Sequence, residues 1–367
     1  MTVSEQDLAA ETGTPSNRAY PNLDVRQHTG AATEVPSSHP WRRLILPVAM
    51  VAALAFGPNL LNDYWSFLAN LAIIYALMTL SYDMLLGWSG QMGLAQAALV
   101  GLGAYGVTVM MNHGIPYLLS LPLAGILAAV VSVIIGLPAI RLRGFFLAIA
   151  TLAFGLVIAQ LFSGAQSITG GGGGIAVGAW AFPGYTAGAS IYWLSLAITA
   201  AAFLGVWRLV RGRFGRTLLA IKTAPPAAEA LGVPIVRYRL YAFALSGALA
   251  AIAGGLFAQL QTYIYPQMFN TNFLVLMLIM LILGGSVSMW GPVFGSAFAV
   301  GIVQLQQSLG SYQNLAYGLT LMAAIGVLPG GIVSLWAMAK RYVRRARAGR
   351  NTVDSSRVGD AEPAGSL

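Results

Sequence analysis

The sequence has 367 residues, of which 57% are hydrophobic and 8% are charged, with a formal net charge of +9. Soluble globular chains carry about 25% charged residues, so this chain lacks the charge to cover a water-facing surface, and an integral membrane protein is predicted. The absence of cysteine excludes disulfides, iron–sulfur clusters and thiolate zinc sites, and the three histidines are too scattered for a metal site, so neither a metal nor a cofactor is expected.

The first predicted element is a tail, residues 1–40, which is polar and has no apolar run of the kind that a signal peptide needs. We expect it to be disordered. Ten apolar segments follow, most of them near the roughly 20 residues that cross a bilayer as a helix. They lie at 44–62, 66–86, 92–111, 117–139, 145–163, 190–210, 238–261, 272–290, 293–309 and 315–338. A tail that is basic and then disordered is predicted for 340–367.

Acidic residues are rare in this part of the chain. The only ones between residues 44 and 339 are Asp63, Asp83 and Glu229. Asp63 falls at a predicted outer loop, where water solvates it. Asp83 falls toward the inner end of the second span, and a charge at the centre of a membrane helix costs about 2.5–3.5 kcal/mol on insertion scales. Asp83 is therefore interpreted either as an interfacial or hydrogen-bonded acid or as part of a transport path or gate.

The stretch Leu86–Tyr105, LGWSGQMGLAQAALVGLGAY, is too rich in glycine for an ordinary helix. Residues 101–106 match GxGxxG, but the dinucleotide fingerprint also needs a preceding strand and a later acid, so close packing between membrane helices explains these glycines better. We expect a break between the second and third spans that lines or gates a path. Gln91 and Gln96 are its candidate polar contacts.

Two further connections contain glycine without charge. The predicted outer loop 164–189 includes the run 170–174 and is interpreted either as a flexible connector or as a contact for an external binding protein. Gly284 and Gly285, followed by Gly291-Pro292, predict a second break between the eighth and ninth spans.

The segment 208–239 is the longest connection on the predicted inner side. Pro225 and Pro226 suit the first turn of a helix, where a missing N–H costs nothing, and Gly232 suits its end. A short helix of about two turns is therefore predicted, with Glu229 as its acid. It is interpreted either as a plain interfacial helix or as a docking element for a cytosolic partner.

The basic residues define the predicted orientation. Arg42 and Arg43 precede the first span, Arg141 and Arg143 separate the fourth from the fifth, and the remainder lie in the tails or in 208–239. If both termini are cytoplasmic, every Lys and Arg lies inside, as the positive-inside rule requires. The net charge thus reflects topology and attraction to anionic lipid headgroups, and no nucleic-acid partner is expected.

Several motifs resemble one family. The segment 227–258, AAEALGVPIVRYRLYAFALSGALAAIAGGLFA, is similar to the LivM-type permeases of ABC importers for branched-chain amino acids. Further resemblances, in family order, lie in the glycine-rich stretch 87–105, in RLRGFFLAIATLAFG (141–155), in TGGGGGI (169–175), in LILGGSVSMWGPVFGSA (281–297) and in VLPGGI (327–332).

The resemblance implies an all-α, polytopic bundle in the bacterial inner membrane, with a permease domain over 41–339. It implies a second permease subunit, two cytosolic ATPase subunits and a periplasmic solute-binding protein as partners, so ATP would be hydrolysed outside this chain. The residues expected to couple to the ATPase are Ala228, Glu229, Ala230, Leu231 and Gly232. The candidates for the translocation path or gate are Asp83, Ser89, Gly90, Gln91, Gln96, Thr169, Gly170, Gly284 and Gly285.

The sequence departs from the family pattern at several positions. Gln96 stands where the family usually has His, Gly173 where it has an acid, and Gly330 where it has Arg. The expected solute is a branched-chain or other neutral amino acid, with urea or a short amide as the alternative because related permeases carry the same motifs. A secondary transporter or channel is the more remote hypothesis, and the lack of an acid–base pair in the spans disfavours a membrane enzyme.

Overall fold

The structure is a computed structural model that describes residues 62–139, 142, 144–307 and the isolated positions 315, 318, 319 and 322. All of these residues belong to one compact unit, Met50–Leu367. The predicted tails, 1–40 and 340–367, lie outside the described residues, as do almost all of the predicted spans 44–62 and 315–338.

Long helices dominate the described residues, because a helix satisfies the backbone groups of an apolar segment without water. In chain order they are α1 (Asp63–Tyr82, continued by a π-helical turn, Asp83–Trp88), α2 (Gln96–Asn112), α3 (Tyr117–Ala139), α4 (Phe145–Gly164), a short α5 (Gln166–Thr169), α6 (Ala187–Arg211), α7 (Arg213–Thr223), α8 (Pro225–Ala230), α9 (Ile235–Gln261), α10 (Thr271–Gly284) and α11 (Gly291–Gln307). The other described elements are two 3-10 turns, Gly171–Gly173 and Pro266–Phe269, and two strands, β1 (Ile175–Ala176) and β2 (Tyr263–Ile264).

Five of the described helices are long and apolar enough to cross a membrane. They are Asp63–Trp88, Tyr117–Pro138, Phe145–Gly164, Ala187–Arg211 and Ile235–Gln261. Two predicted spans are wrong in extent: the third begins at Gln96 rather than at residue 92, and the eighth ends at Gly284 rather than at residue 290. Glycine-rich breaks interrupt the helix at both places, so α2 and α10 are shorter than an ordinary span.

The helix α9 is the centre of the bundle, and it packs against α1, α2 and α3. Its contact with α2 depends on glycine in both helices. A Cβ added at Gly254 would overlap the carbonyl oxygen of Val100, and one added at Gly103 would overlap the backbone of Ala251. Small residues allow membrane helices to approach this closely. The packing role predicted for the glycines of the GxGxxG match is confirmed at Gly103.

Two further helices, α11 and α6, pack against α1. The helix α11 packs on one side of it and α6 on another, and the Ser195 hydroxyl of α6 donates a hydrogen bond to the Asn70 side chain of α1 at 2.5 Å. As a result, most of α1 is buried, including Tyr82 and Met84 near its inner end. The acid Asp83 therefore lies in a fully covered part of the bundle.

The predicted outer loops meet at one end of the bundle. The strand β1, from the loop 164–189, pairs antiparallel with β2, which follows α9, with Ile175 opposite Ile264. The described residues are otherwise mostly helical, as expected, and this two-residue pairing is the exception. The loop 164–189 also contains α5 and a 3-10 turn, so it has more regular structure than a simple connector.

The helix α7 was not predicted, because the sequence between Arg208 and Pro225 was interpreted only as a basic connection. It buries Gly215, Leu218 and Ile221, which follow one another at three-residue spacing and therefore share a face. The remaining side of α7 includes exposed basic residues. It leads directly into α8, so the predicted cytoplasmic segment is a pair of helices.

Candidate functional site

The first break, residues 89–95, is an irregular segment between the π-helical turn and α2. Two of the predicted path residues stabilise it from within. The Ser89 hydroxyl donates to the carbonyl of Leu85 at 2.6 Å, and the Gln91 side-chain amide donates to the Ser89 hydroxyl at 2.9 Å. Both side chains are buried. The broken geometry is thus held by local polar contacts in place of the helical ladder.

Gln96 begins α2 and joins three helices. Its side-chain amide donates to the Ser81 hydroxyl at 2.9 Å and to the Ser246 hydroxyl at 3.1 Å. Ser246 in turn donates to the carbonyl of Ser81 at 2.7 Å. Gln96 is 1% exposed, so its polar atoms are engaged between α1, α2 and α9, and a direct contact with solute would require this network to open.

Asp83 is fully buried, and both of its carboxylate oxygens accept hydrogen bonds. Oδ1 accepts from the backbone N–H of Val287 at 3.0 Å, and Oδ2 accepts from the indole N–H of Trp88 at 3.1 Å. The carboxylate is thus hydrogen-bonded, and its role in a transport path or gate stays a prediction. Asp83 also joins the end of α1 to the second break.

Lys222 adds a positive charge beside this acid. Its ammonium group donates to the carbonyl of Gly87 at 2.6 Å, and Gly87 lies in the same π-helical turn as Asp83. A Cβ added at Gly87 would overlap Oδ1 of Asp83, which explains why this position is glycine. We call the five residues Asp83, Gly87, Trp88, Lys222 and Val287 the Asp83 cluster.

The second break lies between α10 and α11 and depends on glycine. Gly285 has a φ of 93°, in the left-handed region, and a Cβ added at Gly284 would overlap the carbonyl oxygen of Gly291. Val287, inside the break, has a φ of 64°, which is unusual for a β-branched residue. The predicted break is confirmed, and its backbone contacts Asp83 through Val287.

Thr169 and Gly170 lie at the other end of the bundle, away from the two breaks. The buried Thr169 hydroxyl donates to carbonyl oxygens of α4 and of the turn that follows it, including that of Ala165 at 2.8 Å. Gly170 has a φ of 68°, and an added Cβ would overlap the carbonyl oxygen of Gly174. These two residues shape the outer loop, and the structure does not bring them together with Asp83 or Gln91.

The residues predicted to couple to the ATPase lie in α8 and just after it. Within this group only Ala228 is buried, at 4% exposed, whereas Leu231 is 84% exposed. The N–H of Gly232 donates to the carbonyl of Glu229 at 2.9 Å, and the N–H of Val233 donates to that of Ala228 at 3.1 Å. With Gly232 at a φ of 76°, this is a Schellman ending. The predicted short helix and its glycine stop are confirmed.

A groove of about 290 Å³ runs along α2 and α4 from the first break to the turn Pro266–Phe269. This volume is near the lower limit of small-molecule pockets, about 300–1,000 Å³. None of the described residues that line it carries a charge. Its apolar lining residues include Leu94, Ala97, Leu152, Leu156 and Leu274, and its polar lining residues include Gln160, Ser163, Gln267, Asn270 and Thr271.

The sequence analysis missed this groove. Its first-break residue, Leu94, is held against α4, where the Thr151 hydroxyl accepts a hydrogen bond from the Leu94 N–H at 2.9 Å. The predicted residues Ser89, Gln91 and Gln96 do not line it. Gln160 and Ser163 could have indicated the groove, because they place two polar side chains on one face of a mostly apolar helix.

Comparison with known proteins agrees with these features. The family profile described as "Branched-chain amino acid transport system / permease component" matches residues 64–328. The chain belongs to this permease family. It is 28% identical over 322 residues to the high-affinity branched-chain amino acid transport system permease protein LivM of Escherichia coli strain K12, covering 80% of this chain and 75% of that protein.

More distant relatives show the range of the family. The chain is 27% identical to the probable branched-chain amino acid transport permease protein LivH of Methanocaldococcus jannaschii, covering 75% of this chain and 92% of that protein. It is 29% identical over 205 residues to the autoinducer 2 import system permease protein LsrC of Klebsiella pneumoniae, covering 54% of this chain and 58% of that protein. The LivM-type resemblance is confirmed, and this permease is a multi-pass membrane protein of a transport system.

Proposed function

We propose that this permease is the membrane subunit of an ATP-driven importer for branched-chain or other neutral, apolar amino acids in the bacterial inner membrane. ATP is hydrolysed by two partner subunits on the cytosolic side. A second permease completes the pathway, and a periplasmic binding protein delivers the solute. The observation that carries this proposal is the exposed, glycine-capped helix α8 in a chain whose family is a transport permease.

The surface of α8 supports docking on a cytosolic partner. Leu231 is 84% exposed, and an apolar side chain this exposed at the end of a short helix favours burial in a partner's pocket. Glu229 is exposed beside it, within a segment whose other charged residues are basic. An ATPase subunit with an apolar pocket and a basic rim complements these two side chains.

The groove supports a neutral solute. Its apolar lining residues suit an aliphatic side chain, and its uncharged polar lining residues offer hydrogen bonds without a fixed charge. A solute with a net charge would lose its hydration there without a counter-charge, which is costly in a low-dielectric site. A zwitterionic amino acid carries no net charge, and the amide and hydroxyl groups of Gln160, Ser163 and Asn270 suit its polar end.

The helix α4 supports a second membrane subunit or lipid beside the groove. Among the five long helices it is the least buried, with Phe146, Val157 and Leu161 among its exposed residues. Such a face must be covered by lipid or by another apolar surface. A second permease packed there would close the groove into a path, and the paired outer loops β1 and β2 would face the binding protein.

Transport by the purified complex tests the proposal. The complex is isolated from co-expressing cells through a tag on this chain and reconstituted in proteoliposomes, and uptake of radiolabelled leucine is measured with and without ATP. We expect accumulation that requires ATP, the ATPase subunits and the binding protein. Accumulation without ATP would indicate a secondary transporter or channel, and transport of urea or acetamide in place of leucine would support the alternative solute class.

A further inference from the structure

The Asp83 cluster joins three segments that are far apart in the sequence. Asp83, Gly87 and Trp88 belong to the π-helical end of α1, Lys222 to the last turn of α7, and Val287 to the second break. Two hydrogen bonds cross between segments, from Lys222 to the carbonyl of Gly87 and from Val287 to Asp83. A shift of any one segment therefore acts on the other two.

Lys222 is directly linked to the coupling helix. Only Ala224 separates the end of α7 from the start of α8. The N–H of Ala224 donates to the carbonyl of Ala220 at 2.9 Å, and the N–H of Ala228 donates to the carbonyl of Ala224 at 3.1 Å. Backbone hydrogen bonds thus continue across the junction, so a displacement of α8 by a docked partner carries the Lys222 end of α7 with it.

Lys222 is an exposed residue, but its stem packs closely against the first break. A Cβ added at Gly87 would overlap Asp83, and one added at Gly90 would overlap the Lys222 stem. Gly90 therefore leaves room for the lysine stem, and Gly87 leaves room for the carboxylate. Close-packed groups transmit a displacement and do not absorb it, so movement of the lysine displaces the Gly87 carbonyl and the adjacent carboxylate.

A displacement of Lys222 reaches two parts of the protein. Through Asp83 it reaches Val287, whose left-handed backbone (φ 64°) stores conformational strain. Through residues 89–95 it reaches Leu94, which lines the groove and is bonded to Thr151 of α4. The Asp83 cluster thus lies between α8 on one side and both the second break and the groove on the other.

We infer that Lys222 is a positioning residue for transport, which transmits the movement of α8 through the Asp83 cluster to both helix breaks and the groove. This inference rests on the proposed function, because it requires an ATPase that moves α8. In this inference, Asp83 holds the second break in a fixed position relative to the first. The ammonium of Lys222 reaches this carboxylate through the carbonyl of Gly87, which lies in the same π-helical turn as Asp83.

Three variants test the inference in the reconstituted complex. Lys222→Met removes the ammonium and keeps the length of the stem, Lys222→Arg keeps a charged donor, and Arg216→Met removes one charge from an exposed position of the same helix. We expect Lys222→Met to lower leucine uptake about tenfold, within the usual range of coupling between sites, while ATP hydrolysis changes less than about twofold. Lys222→Arg should restore part of the uptake, and Arg216→Met should match the unaltered chain.

A single thiol reports the movement directly. The chain contains no cysteine, and Ser286 in the second break is exposed, so Ser286→Cys provides one site for a membrane-impermeant maleimide. We expect its labelling rate to change when the complex is trapped with ATP and vanadate, and this change to vanish in Ser286→Cys with Lys222→Met. An equal change in both backgrounds, or wild-type uptake by Lys222→Met, would overturn the inference.

The proposed function fails in a different way. If the unaltered complex shows no ATP-dependent uptake and no nucleotide-dependent labelling at Ser286→Cys, the importer assignment itself is wrong, and with it the inference. If the unaltered complex shows ATP-dependent uptake and Lys222→Met behaves in the same way, the importer assignment is retained. The role inferred for Lys222 is then wrong.

Discussion

The two helix breaks have similar composition but are held in different ways. The first, residues 89–95, is held by polar side chains: Ser89 and Gln91 bond within it, and Lys222 bonds to the turn before it. The second is held by close backbone contacts between glycines, with Asp83 as its side-chain contact from α1. The first break is therefore held by many weak contacts. The second is held by few contacts, and these leave no room for a side chain larger than that of glycine.

This difference indicates how a transporter can combine a rigid and an adjustable break. Side-chain hydrogen bonds exchange partners at modest cost, so the first break can change shape beside the groove. Glycine contacts leave no room for a larger side chain, so the second break is expected to keep its shape together with the carboxylate that holds it. Asp83 connects the two breaks, because it belongs to the turn before the first break and accepts a hydrogen bond from Val287 in the second.

The largest effect is expected from a side chain added to the second break. Gly284→Val places atoms where the carbonyl of Gly291 lies, and overpacking against the backbone cannot relax, so we expect a loss of about 3 kcal/mol in the free energy of unfolding. SDS-induced unfolding in mixed micelles measures it. The matched control is Gly301→Val in α11, where nothing lies within 4 Å of an added Cβ. Equal stability of the two variants would contradict the glycine-contact explanation.

The next effect is expected at the residue that joins the breaks. Asp83→Ala leaves the N–H groups of Val287 and Trp88 without their acceptor, and buried unsatisfied donors cost about 1–3 kcal/mol, so a loss of about 2 kcal/mol is expected in the same assay. Asp63→Ala, an identical change at an exposed position of α1, serves as control. If Asp83→Ala were as stable as the control, Asp83 would not hold the second break.

A smaller effect is expected within the first break. Gln91→Ala removes the buried hydrogen bond to Ser89 at 2.9 Å and a longer one to the carbonyl of Arg239 at 3.4 Å, while the Ser89 bond to Leu85 persists, so we expect a loss of about 1 kcal/mol. Gln166→Ala, at an exposed position of α5, is its control. A loss as large as that of Gly284→Val would show that the two breaks are not held differently.

The smallest effect on stability is expected at the coupling helix. Glu229→Lys changes an exposed side chain, so the free energy of unfolding should change by less than about 0.5 kcal/mol, while ATPase assembly and uptake are lost because the docking charge is reversed. Gly232→Pro should also block coupling, since a φ of 76° is closed to proline. Co-purification of the ATPase and leucine uptake are the measurements. Uptake at the wild-type rate in both variants would show that α8 does not couple to an ATPase.

Much of the fold follows from local pattern. The uncharged runs predict the long helices, and Pro225 with Gly232 predicts α8 to within a residue or two. The extent of α2 and α10 was mispredicted, because hydrophobicity continues through the glycine-rich breaks while helical geometry does not. The helix α7 was missed because its arginines concealed the apolar face of Gly215, Leu218 and Ile221.

The candidate site was predicted only in part. The sequence marked Asp83, Gln91 and the coupling residues, and it stated both interpretations of Asp83 without a means of choosing. It did not indicate Lys222, whose role depends on a carbonyl more than a hundred residues earlier in the chain. It also did not indicate the groove, whose lining comes from α2, α4, α10 and a turn.

The composition by itself indicated a membrane protein, and the order of the motifs indicated a permease of the branched-chain amino acid transport family. Both can be seen in the sequence because charge content and local spacing do not depend on how the chain folds. Tertiary structure alone decided which polar groups meet: Gln96 with Ser246, Asp83 with Val287, and Lys222 with Gly87. Each pair is fixed by how closely two distant backbones approach, and that approach is set by glycines whose neighbours in space are not their neighbours in sequence.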